Sequence, residues 1–352
     1  MLLFALAALS LAPTCGKRTP PLPPLERIPQ RTEELTGDQR GNLIILSWPA
    51  PRRNAGQGSV QSIRRVDVYR VAEKLNAPLP MTEEEFAARA TLIGSVDYDE
   101  IRRAGDSLTY QDSLELAGQP ARLRYAIRYV NAAGQRAAFS NFFPFEPAAK
   151  IAEPPTNLEK TESETAIMIT WEAPKANIDG STPVNLLGYN VYRTAVSQPQ
   201  SGKSPLNKTP LTATQYPDKN FKFGEKYNYV VRAVSLGTLA RPVESLDSST
   251  VAAEPRDTYP PSAPTLSQPG LAPGRIALFW AANPEPDIAG YLLYRATNAN
   301  GPWTQVTPTL YTKTTFTDEN VESGKTYFYY LIAVDTAGNQ SKPSEIVSET
   351  VP

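Results

Sequence analysis

The chain has no histidine and a single cysteine among its 352 residues. Without imidazole there is no side chain whose unperturbed pKa suits it to base catalysis near neutral pH, and no nitrogen ligand for zinc or copper. The lone thiol, Cys15, precedes the repeated segments described below, so neither a disulfide nor a soft-metal site can be assembled inside the folded body. Charge of either sign is also missing in excess, with 35 Lys and Arg against 36 Asp and Glu. That balance gives no basic field of the kind phosphate neutralisation needs, and nucleic acid is not an expected partner. Long apolar runs are scarce too. The clearest, Leu2 to Ala12, is eleven residues and too short to span a bilayer. Glycine-rich phosphate loops and CxxC pairs are absent.

What is present is β-forming and punctuated: 34 prolines with abundant Thr, Tyr and Val fit many short strands separated by turns. A tryptophan-centred run occurs three times, as Leu43 to Trp48, Ile167 to Trp171 and Ile276 to Trp280. Each is followed by a tyrosine-arginine strand, VDVYR ending at Arg70, GYNVYR ending at Arg193 and GYLLYR ending at Arg295. The tryptophans lie 123 and 109 residues apart, too far for a solenoid unit and right for a small domain repeated in tandem. Each unit of roughly 100 residues is large enough to bury its own core.

The apolar run at Leu2 to Ala12 has the length of a signal-peptide core, and residues 1–14 are expected to be an export signal. Cys15-Gly16 follows, then a proline-rich stretch over 15–29 that reads as an extended tether. This start resembles that of a bacterial lipoprotein, which implies lipidation of Cys15 and a membrane anchor there. Thr14 and Pro13 depart from the lipoprotein pattern, and the other reading is a cleaved secretory signal that leaves a free thiol. The expected location is the bacterial cell envelope, at the outer membrane or cell surface.

Within the repeats the alternation has period two, as half-buried antiparallel strands require. In the third copy Tyr327, Tyr329, Leu331 and Ala333 share one face, and in the second Tyr227, Tyr229, Val231 and Ala233 do. The Trp run, the G-Y-x-x-Y-R strand, the Y-x-Y-x-[VL]-x-A strand and the AGNQS-type turn together resemble fibronectin type III domains. The resemblance covers nearly everything from about residue 26 onward. It implies an all-β fold of three tandem seven-stranded immunoglobulin-like sandwiches, over 30–148, 152–254 and 260–352. It also implies that Trp48, Trp171 and Trp280 lie in the cores. Tyr227 and Tyr327 would form tyrosine corners, each hydroxyl bonding to backbone. Copy one places Leu123 at that position and so lacks the hydroxyl.

Copy one also carries an insertion, residues 74–90. Thr82 and Glu85 are spaced as a capping box and EEEFAARA favours helix, so a short helix is expected on the rim of the first sandwich. Glu83, Glu84 and Glu85 read as a solvated first turn favoured by the helix dipole, or as an acidic recognition patch. The last strand of this copy, AFSNFFPFEP, has Phe143 and Phe145 on one face and Phe142 on the other. Either these rings pack internally against the segment Ile151 to Pro155, or Phe142 and Phe86 form an apolar patch for a partner.

Chemistry-bearing motifs are few. Gly105 to Leu108 spells the GDSL string of a serine esterase family, but the base such a hydroxyl nucleophile needs is absent and the string lies in a loop of a sandwich. Asp179 and Asp287 precede the third strands of their copies and are expected to cap turns; no metal or cofactor site is expected from them. The proline-rich linkers EPAAKIAEPP and EPRDTYPPSAP favour a semi-rigid rod. The expectation is therefore a monomeric, non-enzymatic envelope spacer and interaction scaffold with an unidentified protein or polysaccharide partner. The alternative is a carbohydrate-binding accessory protein of a polysaccharide-degrading system, which predicts exposed aromatic rows on a sheet face.

Overall fold

The computed structural model describes residues 28–50, 63–97, 107–115, 121–272 and 274–352. Cys15, and Gly105 and Asp106 of the GDSL string, lie outside the described residues. The first copy contributes β1 (Thr36–Arg40), β2 (Leu43–Pro49), β3 (Ile63–Lys74), α1 (Glu83–Arg89), β4 (Thr91–Asp97), β5 (Ser107–Ser113), β6 (Ala121–Asn131) and β7 (Phe143–Phe145). Strands β5-β2-β1 form one sheet and β4-β3-β6-β7 the other. Period-two alternation decides what faces inward: Ile44, Leu46 and Trp48 of β2 meet Val66 and Val68 of β3 and Tyr125, Ile127 and Tyr129 of β6.

The second copy repeats this plan with β8 (Thr156–Glu162), β9 (Ile167–Glu172), β10 (Gly188–Ala195), β11 (Gln215–Asp218), β12 (Tyr227–Leu236), β13 (Pro242–Glu244) and β14 (Val251–Ala253). The third uses β15 (Gly270–Ala272), β16 (Arg275–Phe279), β17 (Ile288–Ala296), β18 (Thr304–Gln305), β19 (Thr315–Asp318), β20 (Thr326–Asp335) and β21 (Val347–Thr350). Sheets β11-β9-β8 and β15-β16-β19 oppose sheets built on the β10-β12 and β17-β20 pairs. Trp48, Trp171 and Trp280 are 1%, 5% and 5% exposed, and each anchors a separate core. The Tyr227 hydroxyl accepts from the Lys222 N–H at 3.0 Å, and the Tyr327 hydroxyl from the Glu322 N–H at 3.0 Å. The protein is an all-β tandem of three fibronectin type III-like sandwiches.

One feature of the joins was not legible in the sequence. Strand β1 pairs in parallel with β13 through Arg40 and Glu244, so a single seven-stranded sheet runs from the first sandwich into the second. Gly41 sits in the turn after β1 at φ +54, donates its N–H to the Glu244 carbonyl at 2.7 Å, and leaves no room for a Cβ beside Leu246. The connecting segment is held from both sides. Gln39 makes a two-way amide clasp with Ala148, each bond 2.9 Å, while Ile151 and Ala152 are fully buried in the second sandwich.

The insertion helix forms as the capping box predicts. The Glu85 N–H donates to Thr82 Oγ1 at 3.2 Å, and the Thr82 N–H donates to Glu85 Oε2 at 2.8 Å. Its placement differs from expectation. It does not sit on the rim but lies over the outer face of the β4-β3-β6-β7 sheet, because Phe86 needs an apolar floor and finds Val71 and Ala126 there. Arg122 and Arg124 hold the strand-to-helix connection by donating to the carbonyls of Leu75, Ala77 and Leu79, and the buried Glu73 carboxylate balances Arg124 at 2.7 Å. Among the described residues no helix is long and apolar enough to cross a membrane.

Candidate functional site

The apolar patch expected at Phe86 and Phe142 is corrected by the structure. Phe86 is fully buried, stacked on Phe142 with centroids 4.6 Å apart and edge-on to Phe139 at 5.1 Å. Phe142 covers Phe86, and Phe143 and Phe145 pack against the first core, whereas Ala152 of the Ile151 to Pro155 segment joins the second. These rings are internal packing, so truncating them acts on stability. The acidic first turn is divided: Glu85 closes the cap, Glu83 Oε1 accepts from the Phe139 N–H at 3.3 Å, and Glu84 is exposed.

That buried cluster draws attention to one position shared by all three copies. The tyrosine just before the arginine of each tyrosine-arginine strand, Tyr69, Tyr192 or Tyr294, points away from the core on the outer face of the four-stranded side. In the first copy Tyr69 meets Phe139 edge-on at 5.2 Å beneath the insertion helix, and its cross-strand partner Ala126 is fully buried. In the second copy an ionic lattice covers Tyr192. The Arg232 guanidinium lies 4.1 Å above its ring, and its hydroxyl donates to Glu244 Oε1 at 2.5 Å. Burial, then the bond to Glu244, pushes the Tyr192 phenol up to about 12. Burial works against ionisation of Glu244, yet bonds from Tyr192, Asn190 and Arg232 outweigh it and hold the carboxyl below its usual value.

In the third copy this face carries no such cover among the described residues. Tyr294 pairs across the strands with Tyr330, the two rings stacked at 4.8 Å and 15°, and Trp303 stands edge-on to Tyr330 at 4.7 Å. All three rings are partly exposed, and Leu292 and Ile332, paired with each other on the same two strands, are half-buried. Burial, with a smaller contribution from the neighbouring Tyr294, raises the pKa of the Tyr330 phenol. From Ala296 to Thr312 there is no charged residue. Sequence reasoning missed this row because Trp303 falls outside the repeated Trp run. The signal was the fourth tryptophan, placed in a loop where the other copies have none.

A second constellation recurs three times inside the sandwiches. Asp112 accepts from Arg70 at 2.7 Å and Tyr125 at 2.7 Å, Asp218 from Arg193 at 2.7 Å and Tyr229 at 2.7 Å, and Asp318 from Arg295 at 2.8 Å and Tyr329 at 2.9 Å. Asp218 and Asp318 end their strands and Asp112 is one residue from the end of β5, while the partners of each lie on the opposite sheet, so the triad ties the two layers together. Burial, reinforced by the aspartate, raises the pKa of all three phenols. An aromatic-x-Asp string precedes each one, Tyr110-Gln111-Asp112, Tyr216-Pro217-Asp218 and Phe316-Thr317-Asp318, and that repeat is the signal that could have found them.

Asp179 caps its own turn, accepting from the Ser181 N–H at 2.9 Å. Asp287 instead comes together with Asp257 of the linker and Asp335, their oxygens within 4.8 Å of one another. Asp335 is already held by the Asn339 N–H and amide at 2.8 and 2.9 Å. Asn339 also reaches the Asp257 carbonyl at 3.3 Å, a clasp between linker and third sandwich.

No family model matches the chain. It is similar to exoglucanase B of Cellulomonas fimi, 30% identical over 202 residues that make up 56% of this chain and 16% of that protein. Amylopullulanase of Thermoanaerobacter thermohydrosulfuricus is 30% identical over 92 residues, 26% of this chain and 6% of that protein. Chitinase A1 of Niallia circulans is 27% identical over 186 residues, 52% and 23% of the two. The chain thus spans under a quarter of the length of each of these relatives. Similar solved structures include a fibronectin type III-like protein from Clostridium thermocellum, 30% identical with a TM-score of 0.24, covering 27% of this chain and 96% of that one. A two-domain fibronectin type III segment of chicken tenascin is 17% identical with a TM-score of 0.36, covering 56% and 100%. The FN1–FN3 domains of chicken CNTN1 are 16% identical with a TM-score of 0.27, covering 92% and 99%.

Proposed function

We propose that the chain is a non-catalytic spacer and interaction scaffold of a polysaccharide-acting system outside the cell. The observation that carries this is the sheet shared by the first two sandwiches through Arg40 and Glu244. A sheet continued across a domain boundary, with Gly41 seated against Leu246, fixes orientation as well as distance, which a flexible tether does not. The similarity to an exoglucanase, an amylopullulanase and a chitinase supports the polysaccharide setting and an exported protein. In this reading a lipid on Cys15 anchors the scaffold to the envelope, and the sandwiches are presented away from it.

The spacer role is tested by spin labels at two exposed positions, Glu84→Cys and Lys208→Cys, in a Cys15→Ser background. One narrow distance distribution is expected. A broad distribution overturns the fixed elbow. Anchoring is read separately, as a shift of the Cys15→Ser protein from the membrane to the soluble exported fraction; an unmodified Cys15 in native membranes refutes it. Sugar release from cellulose, starch or chitin that survives full purification would refute the non-catalytic assignment.

A further inference from the structure

We infer that the outer face of the third sandwich, built on Trp303, Tyr330 and Tyr294, is a binding platform for a neutral hexopyranose polysaccharide. The inference rests on the polysaccharide reading above and names the surface that would make the contact. Its first support is internal to the chain. The same face is roofed by the Phe86 helix in the first copy and by the Arg232 and Glu244 lattice in the second, whereas the third copy replaces those covers with three partly exposed rings. A single outward tyrosine is ordinary. Three partly exposed rings joined through Tyr330, which stacks on Tyr294 and meets Trp303 edge-on, form the kind of unpartnered apolar surface that marks a docking site.

Charge and shape then choose the occupant. The run from Ala296 to Thr312 has no ionic group and instead supplies exposed amides and hydroxyls at Asn298, Asn300, Thr304 and Gln305. An acidic or basic partner would find nothing to pair with there. A pyranose presents polarised C–H groups on its ring faces and hydroxyls around its edge. It matches an aromatic surface, whose faces are electron-rich, rimmed by neutral hydrogen-bonding groups. The face is open and not a pocket, which favours a polymer lying across several rings over a small molecule that needs enclosure.

The test is affinity electrophoresis and pull-down of the full chain on hydroxyethyl cellulose, soluble starch and glycol chitin, with polygalacturonate as the charged control. Retention by at least one neutral polymer is expected. Trp303→Ala and Tyr330→Ala should each weaken it about tenfold or more while the thermal transitions of the first two sandwiches stay in place. Trp303→Phe should keep part of the binding and guards against loss through misfolding. Absence of binding to all three neutral polymers overturns the platform, and leaves the spacer reading to stand or fall on the label distances alone. Binding that Trp303→Ala and Tyr330→Ala leave unchanged overturns it as well. So does a concentration-dependent dimer in sedimentation that Trp303→Ala abolishes, because the face would then be covered by a second copy.

Discussion

Replacing Asp318 by alanine tests the claim that the triads hold the two layers of each sandwich together. Asp318 is 3% exposed and accepts four bonds: two from Arg295 at 2.9 and 2.8 Å, one from Tyr329 at 2.9 Å and one from the Asn320 N–H at 3.1 Å. Alanine leaves the fully buried Tyr329 hydroxyl without its acceptor, a desolvation cost of about 1 to 3 kcal/mol. It also strands a guanidinium whose side chain is 23% exposed and can recover only part of its hydration. Breaking such a pair costs about 3 to 5 kcal/mol in total, a large share of the roughly 5 to 15 kcal/mol that holds a domain folded. At about 4 to 8 °C per kcal/mol for a domain of this size, the third sandwich should melt some 12 to 40 °C lower. Calorimetry of the full chain reads this directly, with the transitions of the other sandwiches as internal controls. Tyr329→Phe should cost about 1 to 2 kcal/mol and should combine with Asp318→Ala less than additively, since both remove the same bond. A shift under about 5 °C, or full additivity of the pair, would refute the reasoning.

Phe86→Ala removes a fully buried ring stacked on Phe142 and edge-on to Phe139, and should cost the first sandwich about 3 to 5 kcal/mol, read as a lower melting transition. A neutral outcome would return Phe86 to the surface. Gly41→Val places a branched side chain at φ +54 with its Cβ about 2.9 Å from Leu246 Cγ, so it should broaden the distance distribution between the first two sandwiches while each still melts cooperatively. Acid should weaken the second sandwich through Glu244. Its folded pKa lies below the unfolded value, so its contribution is fully present above about pH 4.5 and disappears as the pH falls through the folded pKa. Comparison of pH-melting curves for the wild type and Glu244→Gln should show that component of the acid slope missing in the variant; parallel curves would contradict it.

The sandwiches were legible because their information is local. Alternation at Ile44, Leu46 and Trp48, and again at Tyr327, Tyr329 and Leu331, sets which side of a strand is buried, and Thr82 with Glu85 announces a helix start within four residues. The contacts that were misread or missed depend on non-local pairing. Phe86 looks exposed on a helix rich in Glu until the sheet floor at Val71 and Ala126 is placed beneath it. No periodicity reveals that Arg40 ends beside Glu244, some two hundred residues away in the chain, because a parallel pairing between domains is specified by shape and one glycine. The triads sit between these cases. Their members lie 42, 25 and 23 residues apart from arginine to aspartate, too irregular for a motif scan, yet the aromatic-x-Asp string is the same each time.

The three outer faces show how one fold written three times is covered in different ways while each copy keeps a tryptophan-centred core. Tyr69, Tyr192 and Tyr294 occupy the same register, and what changes is the residue opposite: Ala126, Val230 or Tyr330. Alanine opposite leaves a shallow floor on which a helix can lie and bury Phe86. Valine opposite leaves one tyrosine that Arg232 can cover while Glu244 joins the sheet of the neighbouring sandwich, so the covering lattice and the domain joint share a residue. A second tyrosine opposite fills the floor, and the two rings stack on each other, with Trp303 against the second. The first two faces are used within the chain, one for stability and one for the joint. The third makes no contact of either kind among the described residues, and a face built from three aromatic rings exposes apolar surface that is better accounted for by contact with something outside the chain.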